Sequence, residues 1–282
     1  TGGTAEVLVS GNELTFRIEK VSSAIQKDWL MVASGMQQQA VCLACAALGA
    51  GMIFRNMGKD GTETSDGHIA TVKMKVDAMK PSYGDSFWTT DAPGEPWLKG
   101  NLPEPDRKGS RPVLQSLSGL NFKHSGTAPV TEKSLGQVLW AARGRTPHLY
   151  KSRHCGLTIP TWAGEQRISG VYLIRKGNLF EYINESRGKP THSIEPRDVA
   201  RADSASGIQE KFNASEGLLV IARNEDSARA YWEIGYQLLN AILQAAALNL
   251  SYQAILLDET QKALVESAGI KAPAAALALR KV

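Results

Sequence analysis

The sequence predicts an α+β fold, on three observations. From residue 113 onward a helix, a loop, a hairpin, small helices, a strand, a long apolar helix and a last strand follow one another. That order lacks the regular βαβ alternation of a parallel sheet. Residues 1–80 repeat only its later portion, strand–helix–strand. And the apolar helix occurs twice. "GMQQQAVCLACAAL" (35–48) and "GYQLLNAILQAAAL" (235–248) share Gly35/Gly235, Gln37/Gln237, Leu43/Leu243, Ala46/Ala246, Ala47/Ala247 and Leu48/Leu248, a constant offset of 200.

Along the chain, residues 13–23 alternate apolar and polar side chains around Leu14, Phe16, Ile18 and Val21 and predict a strand. The first apolar helix is expected from Asp28 to Leu48, closed by Gly49 and Gly51. Residues 68–79 set Ala70, Val72, Met74 and Val76 against Ile69, Thr71, Lys73 and Lys75, a half-buried strand. Residues 81–112 hold six prolines and four glycines and read as a linker or long wrapping loop. Tyr83, Phe87, Trp88 and Trp97 argue that this stretch packs on something. The expected organisation is therefore a partial repeat over 1–80, the linker over 81–112 and a complete domain over 113–282.

In the complete domain, "TEKSLGQVLWAARG" (131–144) is a helix with Leu135, Val138, Leu139 and Ala142 on its apolar face. Thr131 is its candidate cap, although the acidic residue comes one position on rather than three. Pro160 and Gly164 pin a loop over 158–164. Residues 167–183 are two strands about Lys176–Gly177, 217–222 a buried strand, Ser227 to Leu250 the second long helix, and 274–282 a closing strand or tail.

Composition excludes several functions. Lys and Arg exceed Asp and Glu by four, without a basic stripe, which supports an anionic ligand weakly and duplex DNA hardly at all. Few aromatics interleave with basic residues, so no nucleic-acid partner is expected. Three cysteines make no disulfide framework, and Cys42 and Cys45 read as small buried thiols inside an apolar helix. No second Cys or His pair completes a zinc site, so no metal is expected. The fifteen apolar residues 40–54 fall short of the ~20 that span a bilayer, so no membrane span is expected. Free thiols and no visible leader at Thr1 suggest cytoplasm; a leader or tag removed ahead of a chain that does not begin with Met stays open. Nucleophile elbow, P-loop and dinucleotide fingerprint are all missing from the sequence.

The series "SLGQVLWAARG", "IPTWAG", "GVYLI" and "GYQLLNAILQAAALNLS" resembles the nitroreductase family, most closely the branch with azoline dehydrogenases of peptide-modifying pathways. Residues 35–51 match that family's late helix pattern better than the second copy does. The resemblance implies a nitroreductase-like α+β fold, mostly antiparallel sheet flanked by helices, with long buried central helices. It also implies flavin mononucleotide (FMN) at a two-fold helical interface. The chain is then a homodimer, or a pseudo-dimer within itself, acting on a small-molecule substrate. Its implied activity is FMN-dependent transfer of hydride or electrons between a nicotinamide cofactor, NAD(P)H, or an organic substrate and an acceptor. The flavin-binding positions it implies are the loop Pro160, Thr161, Trp162, Ala163 and Gly164, the polar pairs Gln237/Asn240 and Gln37/Gln39, and a phosphate contact at Arg153. The bland reading keeps the loop as a proline-pinned turn and the amides as helix–helix hydrogen bonds. Where the family carries clustered arginines ahead of the "LLWAA" helix, residues 115–122 read "QSLSGLNF", with no arginine. Arg143, Arg145, Arg153, Arg280 and Lys281 are the candidate substitutes. Those missing arginines and bulky Trp162 point to an alternative, a degenerate member of the fold that binds a small molecule or partner without redox turnover.

Overall fold

The computed structural model describes residues 4–19, 21, 23–55, 68–77, 89–90, 98–106, 111–146, 148–150, 153–154, 157–160, 167–186, 188–198 and 202–281. At 51–55, 68–71, 77, 89–90, 148–150, 153–154 and 202–204 it describes the backbone alone. The first part comprises β1 (Ala5–Ser10), β2 (Glu13–Glu19), α1 (Ala24–Ala47), β3 (Gly51–Arg55) and β4 (His68–Asp77). Then come β5 (Thr89–Thr90), α2 (Val113–Ser118), β6 (Lys123–His124), α3 (Glu132–Arg143), β7 (His148–Tyr150) and β8 (Arg153–His154). The remainder is β9 (Ser169–Arg175), β10 (Asn178–Ser186), β11 (Lys189–Arg197), α4 (Ala202–Lys211), β12 (Gly217–Arg223), α5 (Ala228–Ala247), β13 (Ser251–Leu256), α6 (Glu259–Glu266) and β14 (Pro273–Arg280).

Two antiparallel sheets carry the fold, ordered β1-β2-β4-β3 and β11-β10-β9-β12-β14-β13-β6. The same local pattern occurs in both. In each, a strand leads into a long helix, and the last strand returns to lie between the two that flank the helix: β2-β4-β3 and β12-β14-β13. Both helices end at matched positions, Ala47 and Ala247, with a left-handed residue two further on, Gly49 at φ 70° and Asn249 at φ 53°. Only Gly, and Asn more readily than most, takes that conformation without strain.

Each helix starts where a serine hydroxyl accepts an early backbone N–H, Ser23 from Gln26 and Ser227 from Ala230. α1 therefore begins four residues before Asp28, the expected start. Thr131 caps α3, and its capping-box partner is Ser134 rather than an acid.

α1 and α5 cross at a pair of glycines. A Cβ on Gly35 would lie 2.7 Å from Trp232 Cα and clash with the Trp232 carbonyl oxygen. A Cβ on Gly235 would lie 2.6 Å from Met36 N and clash with the Val32 carbonyl oxygen. Each glycine thus meets the backbone three residues before the other, and the backbones touch because no side chain stands between them.

One cluster of buried side chains joins Phe16, Ile18, Met31, Val72 and Met74 of the first part to Val138, Leu139, Tyr236, Leu238 and Ile242 of the last. A second cluster lies under α4 and α6 on the opposite face of the long sheet, with Ile208, Leu218, Val220, Val265 and Ala276. β12 is buried on both faces, which is why "GLLVIA" is apolar throughout. The described end of the stretch between the two parts, residues 98–106, meets α3. Gln137 accepts from Asp106 N (2.7 Å) and donates to Asp106 O (2.9 Å), so one carboxamide holds both backbone groups of that residue. Tyr83, Phe87, Trp88 and Trp97 lie outside the described residues.

By length and composition α1 is apolar enough to cross a membrane, yet eight of its residues are buried and it packs along α5.

Candidate functional site

Between the C-terminal halves of α1 and α5 and the end of α3 lies a cavity of about 300 Å³. Leu43, Leu243, Ala247, Val113, Trp140 and Ala141 give its apolar walls, and Arg111, Ser116, Thr158, Asn240 and Gln244 its polar groups. Arg111 is exposed and is the one charged residue among the described residues of this lining. α2, which supplies Val113 and Ser116, has no buried residue of its own.

The walls are fixed by hydrogen bonds. Asn240 on α5 donates to the carbonyls of Ala141 (3.1 Å) and Thr158 (2.9 Å), and its own oxygen accepts from Gln39 on α1 (3.0 Å). Both N–H donors of its carboxamide are therefore taken by the protein, and its oxygen already accepts one bond. Trp140 Nε1 donates to Arg145 O (2.8 Å), and Thr158 Oγ1 donates to Trp140 O (3.1 Å). Gln39 Oε1 is buried and meets no donor among the described residues, as is Gln237 Oε1. Such atoms are costly to leave bare, and a bound polar molecule is one way to satisfy them.

Next to the cavity α5 carries a buried ionic group. Glu233, wholly inaccessible, accepts from Arg143 Nη1 (3.1 Å) and from the Ser169 hydroxyl (2.8 Å). Gln237 Nε2 donates to Ser169 Oγ (2.9 Å), and Asn184 Nδ2 to Arg143 O (2.8 Å). On the far side of α3, Tyr182 OH and His192 Nδ1 are 2.8 Å apart. Burial lowers His192 from 6.5 to about 4, against the opposing pull of the Pro103 carbonyl.

Of the positions implied by the resemblance, Asn240 lines the cavity and Gln39 stands directly behind it. Gln237 belongs to the Ser169–Glu233 group, and Gln37 faces solvent while its neighbour Gln38 is buried, accepting from Tyr236 OH. Pro160 is half-buried one residue beyond Ile159. Thr161, Trp162, Ala163, Gly164 and the Arg153 side chain lie outside the described residues. Among the substitute cations, Arg143 is consumed by Glu233, Arg145 pairs with Glu185, and Arg280 donates to Gln253. Cys42 and Cys45 are free thiols, half-buried and buried, raised above the ordinary cysteine range by burial first. Among the described residues no three His, Cys, Asp or Glu side chains gather as metal ligands.

Sequence reasoning passed over Arg111, Ser116, Trp140 and Gln244. Arg111 closes a Pro/Gly-rich stretch that reads as linker, and its one signal was its place just before a helix N-terminus.

No family model matches the chain, and no curated protein does. Among solved structures it is similar to a candidate nitroreductase from Anabaena variabilis, with a TM-score of 0.54 and 9% identity over 95% of this chain and 69% of that one. The fold is nitroreductase-like. A candidate nitroreductase from Ralstonia eutropha aligns with a TM-score of 0.48 and 20% identity, over 69% of this chain and 98% of that one.

A nitroreductase-like fold raises FMN, and the cavity can be tested for it. Its volume stands at the lower end of the roughly 300–1,000 Å³ of small-molecule sites. Its apolar walls fit the planar ring, and Arg111 fits an anionic tail at the rim. The described residues thus fit a flavin ring with one cationic contact, and among them no arginine cluster accompanies Arg111 in the lining.

Proposed function

We propose that the chain is an FMN-dependent oxidoreductase whose flavin ring enters the cavity beside Trp140, Leu43 and Leu243. The observation that carries this is a largely apolar cavity with the cation Arg111 in its lining, set at the junction of the two long helices in a nitroreductase-like fold. Arg111 binds the anionic end. Leu43, Leu243 and Ala247 keep water from the ring, and Asn240 with Gln39 holds the α3 end and Thr158 at their spacing. A bound flavin supplies the hydride and electron transfer, with NAD(P)H or an organic substrate as donor. Within the family, we place the chain nearest the azoline-dehydrogenase branch, on the motif order alone.

We further propose that the two parts form a pseudo-dimer by internal duplication. Its support is the shared strand order, the matched helix ends and the reciprocal Gly35/Gly235 contact. The first part has no counterpart of α3 beside α1 among the described residues, so one ligand per chain is expected.

A second reading, a ligand-binding relative without redox turnover, is favoured by the Asn240 carboxamide, whose N–H donors are both taken by the protein, and by the missing arginines at 115–122. Purified protein separates the two. Released FMN, and anaerobic bleaching of the bound flavin by NAD(P)H, support the oxidoreductase. A different bound molecule, or flavin that no donor reduces, supports the second. Colourless protein that takes up no FMN removes the first.

A further inference from the structure

The chain closes the edges of its long sheet, whereas among the described residues no strand pairs with the outer edge of β1 in the short sheet. At β11, His192 N donates to Lys99 O (3.1 Å), Leu102 N donates to His192 O (3.2 Å), and the Asn101 carboxamide engages both backbone groups of Ile194 (2.9 and 2.7 Å). β6, at the opposite edge, is two residues long and carries exposed Lys123. Short, charged or covered edges are the usual protection against strand addition.

β1 is neither short nor covered by any described residue. It runs six residues in unbroken register with β2 and contains no proline, lysine or bulge. Val7, Leu8 and Val9 are 37%, 44% and 70% exposed, three aliphatic side chains in a row. Its one charge, Glu6, is already answered by Arg17 Nε of β2 at 2.8 Å. Moreover β9, which stands beside β12 as β1 stands beside β2, has a further strand, β10, on its outer side. The place outside β1 is where the other sheet continues.

We propose that β1 pairs antiparallel with β1 of a second copy of this chain, about a two-fold axis through Leu8. The hairpin fixes the register. Ser10 pairs with Glu13 across the two-residue turn Gly11–Asn12, so the N–H and C=O of Val7 and Val9 point away from β2. In the two-fold pairing Val7 exchanges both bonds with the partner's Val9, and Val9 with the partner's Val7. Val7 and Val9 lie on the face of Phe16 and Leu14, their β2 partners, and meet their own kind there. Leu8 meets the partner's Leu8 on the other face. Glu6 falls opposite the partner's Ser10, so no like charges oppose. A register centred on Val7 would instead set Glu6 against the partner's Leu8. The contact is isologous and closes at two copies. A six-residue strand buries less than a standard interface, so association in the micromolar range is expected.

Sedimentation velocity of the full chain over a concentration series tests this. Wild type should shift from monomer to dimer mass with concentration. Leu8→Lys sets two ammonium groups across the axis and should weaken dimerisation at least tenfold, with an unchanged melting temperature at concentrations where wild type is monomeric, because Leu8 is already part-exposed. Leu8→Cys should cross-link to a covalent dimer under mild oxidation, beyond any background from the native cysteines, whereas Val9→Cys should not. A wild type that stays monomeric, or a dimer that survives Leu8→Lys, overturns the proposal. Loss of the dimer in Leu8→Lys without cross-linking of Leu8→Cys overturns the register.

Discussion

Replacing Gly35 by alanine should destabilise the protein although alanine is the better helix former. Trp232 Cα stands 2.7 Å from the new Cβ, against 3.4 Å for ordinary contact, so the backbones of α1 and α5 must part by about 0.7 Å. Neither can move alone, because Gly235 meets Val32 and Met36 in the same crossing. Overpacking of this kind costs about 1–3 kcal/mol or more, and at a backbone-to-backbone contact the upper part of that range applies. Helix propensity returns about 1 kcal/mol. The expected net loss is about 2 kcal/mol, a fall in Tm of roughly 4–8 °C. Gly207→Ala in α4 is the internal control, since its Cβ would meet nothing within 4 Å. It should stabilise by up to about 1 kcal/mol through propensity alone. Differential scanning calorimetry of both variants reads the two signs. A Gly35→Ala protein as stable as Gly207→Ala would refute the close crossing.

Three further outcomes are expected. His192 is buried near neutral, with its pKa lowered from 6.5 to about 4. The unfolded chain therefore binds the proton first. Stability is complete above about pH 6.5 and falls by about 3 kcal/mol as pH drops toward 4, and urea titrations should show His192→Gln losing much of that slope. Glu233→Ala strands the Arg143 guanidinium in the core and should cost about 3–5 kcal/mol by chemical denaturation, unless Arg143→Met is made with it. Asn240→Ala leaves the Ala141 and Thr158 carbonyls without their donor and should cost about 2–3 kcal/mol in the same assay.

Much of the architecture was legible because single elements announce themselves. α1 and α5 show long apolar runs, β4 alternates, and Lys176–Gly177 marks the turn between β9 and β10, with Lys176 at φ 51° and Gly177 at φ 73°. β13 was missed because "SYQAIL" follows the helix at once, and its stop signal is Asn249 where α1 is followed by Gly49. β1 escaped notice because its apolar residues run consecutively, as an exposed edge permits and a half-buried strand does not. The site was far less legible. Gln39 and Asn240 stand 201 residues apart, and Arg143 meets Glu233 across 90, so no local pattern records either pair. Gln37 looked like a site residue by its match to Gln237, yet it falls on the exposed face of α1, and Gln38 and Gln39 are the buried ones.

Isothermal titration of FMN into apoprotein, beside a Leu243→Trp variant that fills the cavity, tests the central claim most directly. The account predicts one FMN per chain for wild type, binding weakened at least tenfold in Arg111→Ala, and none in Leu243→Trp, with the fold of all three intact by circular dichroism. Undiminished binding in Leu243→Trp, or two flavins per chain, would contradict it.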